Sequence, residues 1–455
     1  MASDPIDVIV VGGGLAGVTA ARDLAQAGVR TLLVEARDRL GGRTAMQSLA
    51  GRQVDTGGAY FHWFQAAIWR EVMRYELPVV ESGLATADRW LLGASDGIVE
   101  LSAEEFSEGL RRVLTAFCGD PKFGEALVRP FAVHTDPGFA LLDDMSVEDR
   151  FQELRLDPQD DSMLRAVLAD FGPPADVSLG WVLQRLGNGV WSYEAMMALF
   201  ASYRLERGMG SLIDAMVADA DFEVRLSSPV TAIEYDDAGA TVVLKDGSEL
   251  TARAVVLATP VAVWKTITFT PELSEAHQAA TREGVAAPQV TQLLMHVRGV
   301  SESVVMFSPF DAQPFDLAGT HSMLEDGQLL HGFSFAGEVT CAGGHAQIAE
   351  ALHKILPEAE LVDFVGHDWF SDPYALGGHG SMSPGQAQRF IDILDQPLRS
   401  LFIASADIAP QFSGMLTGAI ESGARAARRA TLAIASPASS TPSGSIFHTP
   451  PSTEN

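Results

Sequence analysis

Ile6-Asp7-Val8-Ile9-Val10-Val11 runs straight into Gly12-Gly13-Gly14-Leu15-Ala16-Gly17, and the reading of these twelve residues decides the fold. The first six form a short, β-branched, mostly apolar run, the pattern of a strand buried on both faces. The next six fit G-x-G-x-x-G. Val18 to Ala27 is alanine-rich and helical in pattern, with Gly28 as its stop. Val29–Val34 is a second β-branched strand, and Glu35 stands at its end. The order strand, glycines, helix, strand and acid has a specific physical meaning. Gly12 permits a tight turn, Gly14 lets the backbone approach a pyrophosphate, and Gly17 lets helix and strand pack closely. The helix N-terminus then offers free N–H groups to the anion, and Glu35 accepts from a ribose hydroxyl. An acid at that place favours a free 2′-hydroxyl, as in FAD or NAD, over a 2′-phosphate.

Ala36-Arg37-Asp38-Arg39-Leu40-Gly41-Gly42-Arg43-Thr44 separates the two dinucleotides. It resembles the EAR-x-R-x-GGR signature of the flavin-containing amine oxidase (monoamine oxidase-like) superfamily, in which the arginines and glycine pair line the FAD pyrophosphate and the flavin edge. Arg37, Gly42 and Arg43 fall on the matching positions. Val54 to Tyr60 resembles the family's second glycine turn, beneath the isoalloxazine, which places Gly58, Ala59 and Tyr60 at the ring. Glu206–Leu212, the strand-like Val224–Ile233 and Ala252–Ala258 followed by Thr259-Pro260 continue the likeness, with Val230 where relatives pair with adenine. Near the end, Leu401–Asp407 reads as a strand ending in an acid, and Gly414–Ala419 as a turn into a helix. The resemblance puts Asp407 at the ribityl or pyrophosphate, and Met415 and Thr417 at the helix N-terminus facing the flavin N1/C2=O locus, where a helix dipole stabilises negative charge. Ser405 and Asp407 stand where the family has glycine and glutamate.

The expected fold class is therefore α/β: a Rossmann-like FAD-binding domain of GR2 type interleaved with an α+β substrate-binding domain. The FAD-binding part is expected at residues 5–82, 204–264 and 396–435, and the substrate-binding part at 83–203 and 265–395. Within 83–203, helix-like patches at 104–117, 145–153, 163–171 and 193–203 suggest a helical lobe. Val290–Val297 and Gln328–Phe335 read as strands, and 345–356 as a helix. Residues 436–455, rich in Ser, Thr and Pro, are expected to be disordered.

Composition bounds the partners. The 455 residues carry 31 Lys+Arg against 59 Asp+Glu, a formal net charge of −28. That balance argues against nucleic acid and against anionic membranes, since both are bound by basic patches. No window approaches the roughly 20 apolar residues of a spanning helix. Membrane-bound amine oxidases carry an apolar anchor at the C-terminus that is missing here, so a soluble, cytoplasmic protein is expected, with a homodimer left open. Cys118 and Cys341 are far apart and suggest neither a disulfide framework nor a metal site.

The resemblance implies FAD-dependent oxidation of an amine C–N bond by hydride transfer to flavin N5, with an imine product and O2 as acceptor. FAD is expected to be held non-covalently in preference to a histidyl link through His379, the residue before the first cage position. Three departures bear on the substrate. Many relatives hold a water at N5 with a lysine; here the matching position is Gln292, and no lysine occurs between Lys265 and Lys354. Monoamine oxidases sandwich the amine between two rings; Gly380 and Met415 stand there instead. Relatives that oxidise L-amino acids carry an arginine where this chain has Tyr60. Gln292, His379 and Tyr60 are the catalytic candidates. Trp63, Phe64, Trp191 and Tyr203 join Gly380 and Met415 as pocket candidates, with Trp369 and Tyr374 as other aromatic sources. The run His62-Trp63-Phe64-Gln65 resembles soluble bacterial amine and nicotine-type oxidases, pointing to alkylamines or heterocyclic amines. Two alternatives stand beside this reading: an FAD-dependent desaturase or amide/C–C dehydrogenase in natural-product metabolism, and a flavin-binding protein without turnover.

Overall fold

The computed structural model describes residues 5–435 except 85, 95–96, 120–136, 188–201 and 286–288. The opening run forms the strand Val8–Val11, every residue of it buried, because the sheet it enters is covered on one face by helices and on the other by a second sheet. That sheet is parallel, in the order Leu401–Ile403, Ala254–Leu257, Val8–Val11, Thr31–Val34, Glu223–Arg225. Its strands come from three distant parts of the chain, so the rest of the molecule is built from excursions out of it. Helix Leu15–Gln26 follows the glycine loop and packs against the long helix Leu416–Ala435. Gly17 makes the return onto the first strand feasible: a Cβ there would sit 1.8 Å from the Gly12 carbonyl oxygen.

A second sheet of seven strands faces this unit. Its order is Glu360–Asp368, Thr291–Arg298, Gly327–Ser334, Leu317–Leu324, Val304–Phe307, Arg89–Ala94, Gly97–Leu101. All its pairs are antiparallel except Val304–Phe307 with Arg89–Ala94. Helix Gly344–Ile355 packs on the Glu360–Asp368 edge. A four-stranded sheet in the order Glu249–Ala252, Ala240–Leu244, Val230–Tyr235, Thr268–Thr270 completes the core.

The α/β class is the one expected, and several elements differ in detail. The stretch 83–203 is not purely helical: Arg89–Ala94 and Gly97–Leu101 form a hairpin that ends the large sheet. Leu91 and Leu92 are both buried, in different apolar clusters on opposite faces, so the strand lacks the polar–apolar alternation that would announce it. Helices Ala103–Cys118 and Val147–Leu154 each begin with a capping box, Ser102 with Glu105 and Ser146 with Asp149. The third patch starts earlier, at Pro158 after an Asp157 cap, and ends at Val167, with a separate 3-10 turn at Ala169–Phe171. The last patch lies outside the described residues up to 201; Tyr203–Leu205 is a strand paired with Val79–Glu81. The run read as strand from Val224 to Ile233 is broken at Ser227-Ser228-Pro229, because Ser227 takes a left-handed φ of 51° and Pro229 has no N–H to donate. Its halves enter two different sheets. The tail 436–455 and Trp191 lie outside the described residues. Among the described residues, no helix is long and apolar enough to cross a membrane.

Candidate active site

One cavity runs from the glycine loop, along the C-terminal ends of the parallel strands, to the face of the seven-stranded sheet. Its first half is a cradle. Gly12 and Gly14 line it, and the helix behind them has no side-chain cap, leaving its first N–H groups for a ligand. Glu35 is fixed at the wall: one carboxylate oxygen accepts the Gly13 N–H at 2.6 Å and the other the Arg37 N–H at 2.8 Å. Gly42, Arg43, Gly58, Ala59, Val230 and Met415 also line the cavity. Gly17 does not; it serves the packing behind the loop. Two hydroxyls, on Thr259 in the wall and on Thr417, which is fully buried behind it and does not line the cavity, have no partner among the described residues. Uncapped helix ends, orphaned hydroxyls and an acid at the second strand fit a bound dinucleotide.

Arg37 and Arg43 are held by acids far away in sequence. Arg37 donates to Asp372 at 2.6 Å and lies over the Tyr374 ring at 5.2 Å. Burial alone would raise the Asp372 carboxyl, but hydrogen bonds from His367 and Arg37 hold it well below the usual carboxylate range. Arg43 donates to the Gly378 carbonyl at 2.5 Å and to Asp407 at 2.7 Å. This corrects the place expected for Asp407. It is fully buried and does not line the cavity; its other oxygen accepts the Val261 N–H at 3.1 Å. Its two oxygens brace Arg43 and the loop after the strand Ala254–Leu257, so it acts on the cradle from behind.

The second half of the cavity is walled mainly by apolar side chains, among them Leu84, Val167, Phe307, Phe333 and Phe335. Polar groups enter at a few points. The Tyr60 hydroxyl lies 2.6 Å from His331 Nδ1, and burial keeps that imidazole neutral and pushes the phenol pKa up. Gln292, on the strand Thr291–Arg298, lines the wall with a buried Oε1 that has no partner among the described residues. Met415 Sδ receives a hydrogen bond from Gln65 at 3.3 Å. His379 lines the wall, and its Nε2 lies 2.7 Å from the Asp170 carbonyl. Burial, reinforced by Arg185, lowers the His379 pKa to about 4, so the ring is neutral at pH 7.

At the position of the first cage ring, Gly380 lies behind the wall. Its backbone meets that of Gly414, where a Cβ would fall 2.2 Å from Gly380 N, and its carbonyl accepts from Arg185 at 3.2 Å. Three aromatic candidates also lie elsewhere. Trp63 is 51% exposed and stacks on Phe64 with ring centroids 3.9 Å apart. Neither lines the cavity, because the turn at His62–Gln65 directs both rings away from it. Tyr203 pairs through its backbone with Phe61 and packs on His62 and Trp69. Trp369 does line the cavity, with its indole N–H donated to Thr56 at 3.1 Å. Asp170, Arg185, Phe333 and Phe335 were missed. The two phenylalanines stand two residues apart at the end of the strand Gly327–Ser334, Phe335 just beyond it, and could have been found by period two; Asp170 and Arg185 sit on helical segments without a motif.

A parallel sheet with this cradle, opening onto a pocket roofed by an antiparallel sheet, defines an FAD-dependent amine oxidoreductase. Residues 15–307 and 331–431 match the family described as flavin containing amine oxidoreductase, and the chain belongs to it. It is 35% identical over 426 residues to nicotine dehydrogenase of Pseudomonas putida, covering 93% of this chain and 87% of that one. It is 30% identical over 427 residues to (S)-6-hydroxynicotine oxidase of Paenarthrobacter nicotinovorans, covering 91% and 97%. Among solved structures, cyclohexylamine oxidase from Brevibacterium oxydans shares the fold with a TM-score of 0.76 at 19% identity, over 95% of this chain and 100% of that one. A triple mutant of putrescine oxidase does so with a TM-score of 0.80 at 19% identity, over 93% and 98%.

Proposed function

We propose that this protein oxidises the C–N bond of a small alkyl or heterocyclic amine, using non-covalently held FAD and dioxygen as the electron acceptor. The observation that carries the reading is the continuity of the cavity: the dinucleotide cradle opens without a break into a largely apolar pocket with a few hydrogen-bonding groups. FAD, which Gly12, Gly14, Glu35, Arg43 and Gly58 would hold, would supply a two-electron acceptor for oxidation of the C–H bond next to a nitrogen that has lost its extra proton. The chain's own work is to place and select the substrate. Phe333, Phe335 and Phe307 exclude water and pack the substrate's carbon skeleton. Tyr60, its hydroxyl tied to His331, and Gln292, with its free Oε1, offer hydrogen bonds to the amine or to a water beside it. His379 stays uncharged and does not repel a cationic substrate.

The relatives' names, nicotine dehydrogenase and (S)-6-hydroxynicotine oxidase, support an amine with a heterocyclic ring. The test is product analysis with a panel of such amines in air. The reading expects a carbonyl compound, from hydrolysis of the imine, and hydrogen peroxide in equal amounts. A carbonyl product formed only when an artificial acceptor is added would overturn the assignment of dioxygen. Loss of the yellow colour with the precipitate after acid treatment would overturn non-covalent binding.

A further inference from the structure

Among the described residues that line this half of the cavity, Asp170 is the carboxylate that no N–H of another described residue engages. The other acid there, Asp316, accepts the N–H groups of Asp311, Phe335 and Ala336. Asp170 lines the cavity from the short turn Ala169–Phe171, with its side chain 27% exposed. Its nearest side-chain partner among the described residues is His379 Nε2, 3.9 Å from Oδ2, too far for a hydrogen bond. His379 spends that nitrogen's hydrogen on the Asp170 carbonyl at 2.7 Å. The neutral ring therefore presents Nδ1 as a bare acceptor, and no partner for Nδ1 is found among the described residues. A carboxylate beside a neutral imidazole thus stands at one corner of a mainly apolar wall.

Arg185 faces this corner from the helix Leu179–Gly187. Its guanidinium donates to the Gly380 and Ser413 carbonyls, and its charge also acts on Asp170. A half-buried carboxylate that faces a mainly apolar cavity, with no donor from another described residue, gains from a ligand that supplies one. This corner lies where the cage position is occupied by the backbone of Gly380, whose neighbour is His379.

We propose that Asp170 is a specificity-determining residue that receives the N–H-bearing nitrogen of the substrate in the cationic form in which it arrives, before that nitrogen gives up the proton that oxidation requires it to lose. The proposal rests on the amine reading above and names the group that selects the cation. An ammonium completes the hydrogen bonding that the corner lacks, whereas an alcohol of the same shape meets a carboxylate with one hydrogen bond and no charge to match. The groups that face Asp170 bear on its pH response. Burial raises its pKa to about 6, with Arg185 opposing. Arg185 is lowered only to about 10 and stays charged, His379 titrates at about 4, and Asp316, also raised to about 6, has its oxygens committed to backbone N–H groups.

The test uses two ligands that cannot be oxidised to an imine, so binding is read apart from turnover. 2-Phenylpropan-2-amine has no hydrogen on the carbon bearing nitrogen, and 2-phenylpropan-2-ol is its neutral twin. Dissociation constants are measured on the FAD-loaded protein from the perturbed flavin spectrum. The ammonium is expected to bind more tightly than the alcohol, and Asp170→Asn to weaken the ammonium by about tenfold or more while moving the alcohol by less than about twofold. In the wild type, ammonium affinity should fall as pH drops through about 6 while alcohol affinity stays level. That second arm needs no variant. Equal weakening of both ligands by Asp170→Asn, an unchanged ammonium affinity, or a wild-type ammonium affinity that does not fall through that pH range would overturn the proposal. If these ligands discriminate as expected yet no oxidisable amine reduces the flavin, the corner stands and the oxidation reading fails.

Discussion

Asp407 shows how a residue can matter to the cradle without touching what the cradle holds. It is fully buried, and its partner Arg43 is 21% exposed, so removing the carboxylate leaves a mostly buried guanidinium with one hydrogen bond to Gly378. Breaking such a pair costs about 3 to 5 kcal/mol. Asp407→Ala should therefore lower the melting temperature and loosen FAD, seen as faster release of flavin fluorescence on dilution. Gln292 is the opposite case. Its buried Oε1 has no partner among the described residues, so Gln292→Leu should leave stability within about 1 kcal/mol of wild type or above it. The same change should slow flavin reduction or reoxidation in stopped-flow traces. His379 carries a pH signature. Its pKa falls from 6.5 to about 4 on folding, so the unfolded chain binds a proton that the folded one refuses, and stability is lost as pH falls from about 6.5 towards 4. His379→Asn should lose less melting temperature than wild type between pH 7 and 5.

At the scale of elements, the glycine loop carries the most sensitive geometry. A methyl group at Gly17 would collide with the Gly12 carbonyl at 1.8 Å, and the helix would have to shift off the first strand. Gly17→Ala should yield protein that purifies colourless, or does not accumulate, and flavin absorbance per polypeptide checks it. The cradle was legible in the sequence because its chemistry demands particular residues at short range: glycines where backbones touch, an acid at a strand end, arginines beside a glycine pair. The substrate wall was much less so. Trp63 and Phe64 sit one or two residues from the lining residue Gln65, yet one turn at His62–Gln65 points both away. Asp170 is 209 residues from the ring it supports, and nothing local in its helical stretch marks it. The hairpin at 89–101 was hidden because a strand buried on both faces loses its alternation. Asp407 was placed at the correct strand end, but its direction depends on Arg43, a partner 364 residues away.

The whole molecule carries a formal charge of −28, a field that attracts cations over distances set by the Debye length, about 8 to 10 Å near physiological salt. For a cationic amine, kcat/KM should fall several-fold as salt rises from about 20 to 200 mM while kcat holds, because encounter is screened and the bound complex is not. A neutral inhibitor should show no such slope. The two sheets meet across one cavity, and the chain crosses between them repeatedly, so cradle and pocket stand or fall together. The central claim is that this cavity passes electrons from an amine to a bound flavin. It is tested most directly by mixing the yellow protein with heterocyclic and alkyl amines under anaerobic conditions and following the flavin absorbance in a stopped-flow instrument. The account predicts full bleaching with at least one amine, at a rate that saturates with amine concentration, and return of colour on admitting air. A flavin that dithionite bleaches but no amine in the panel does would contradict it.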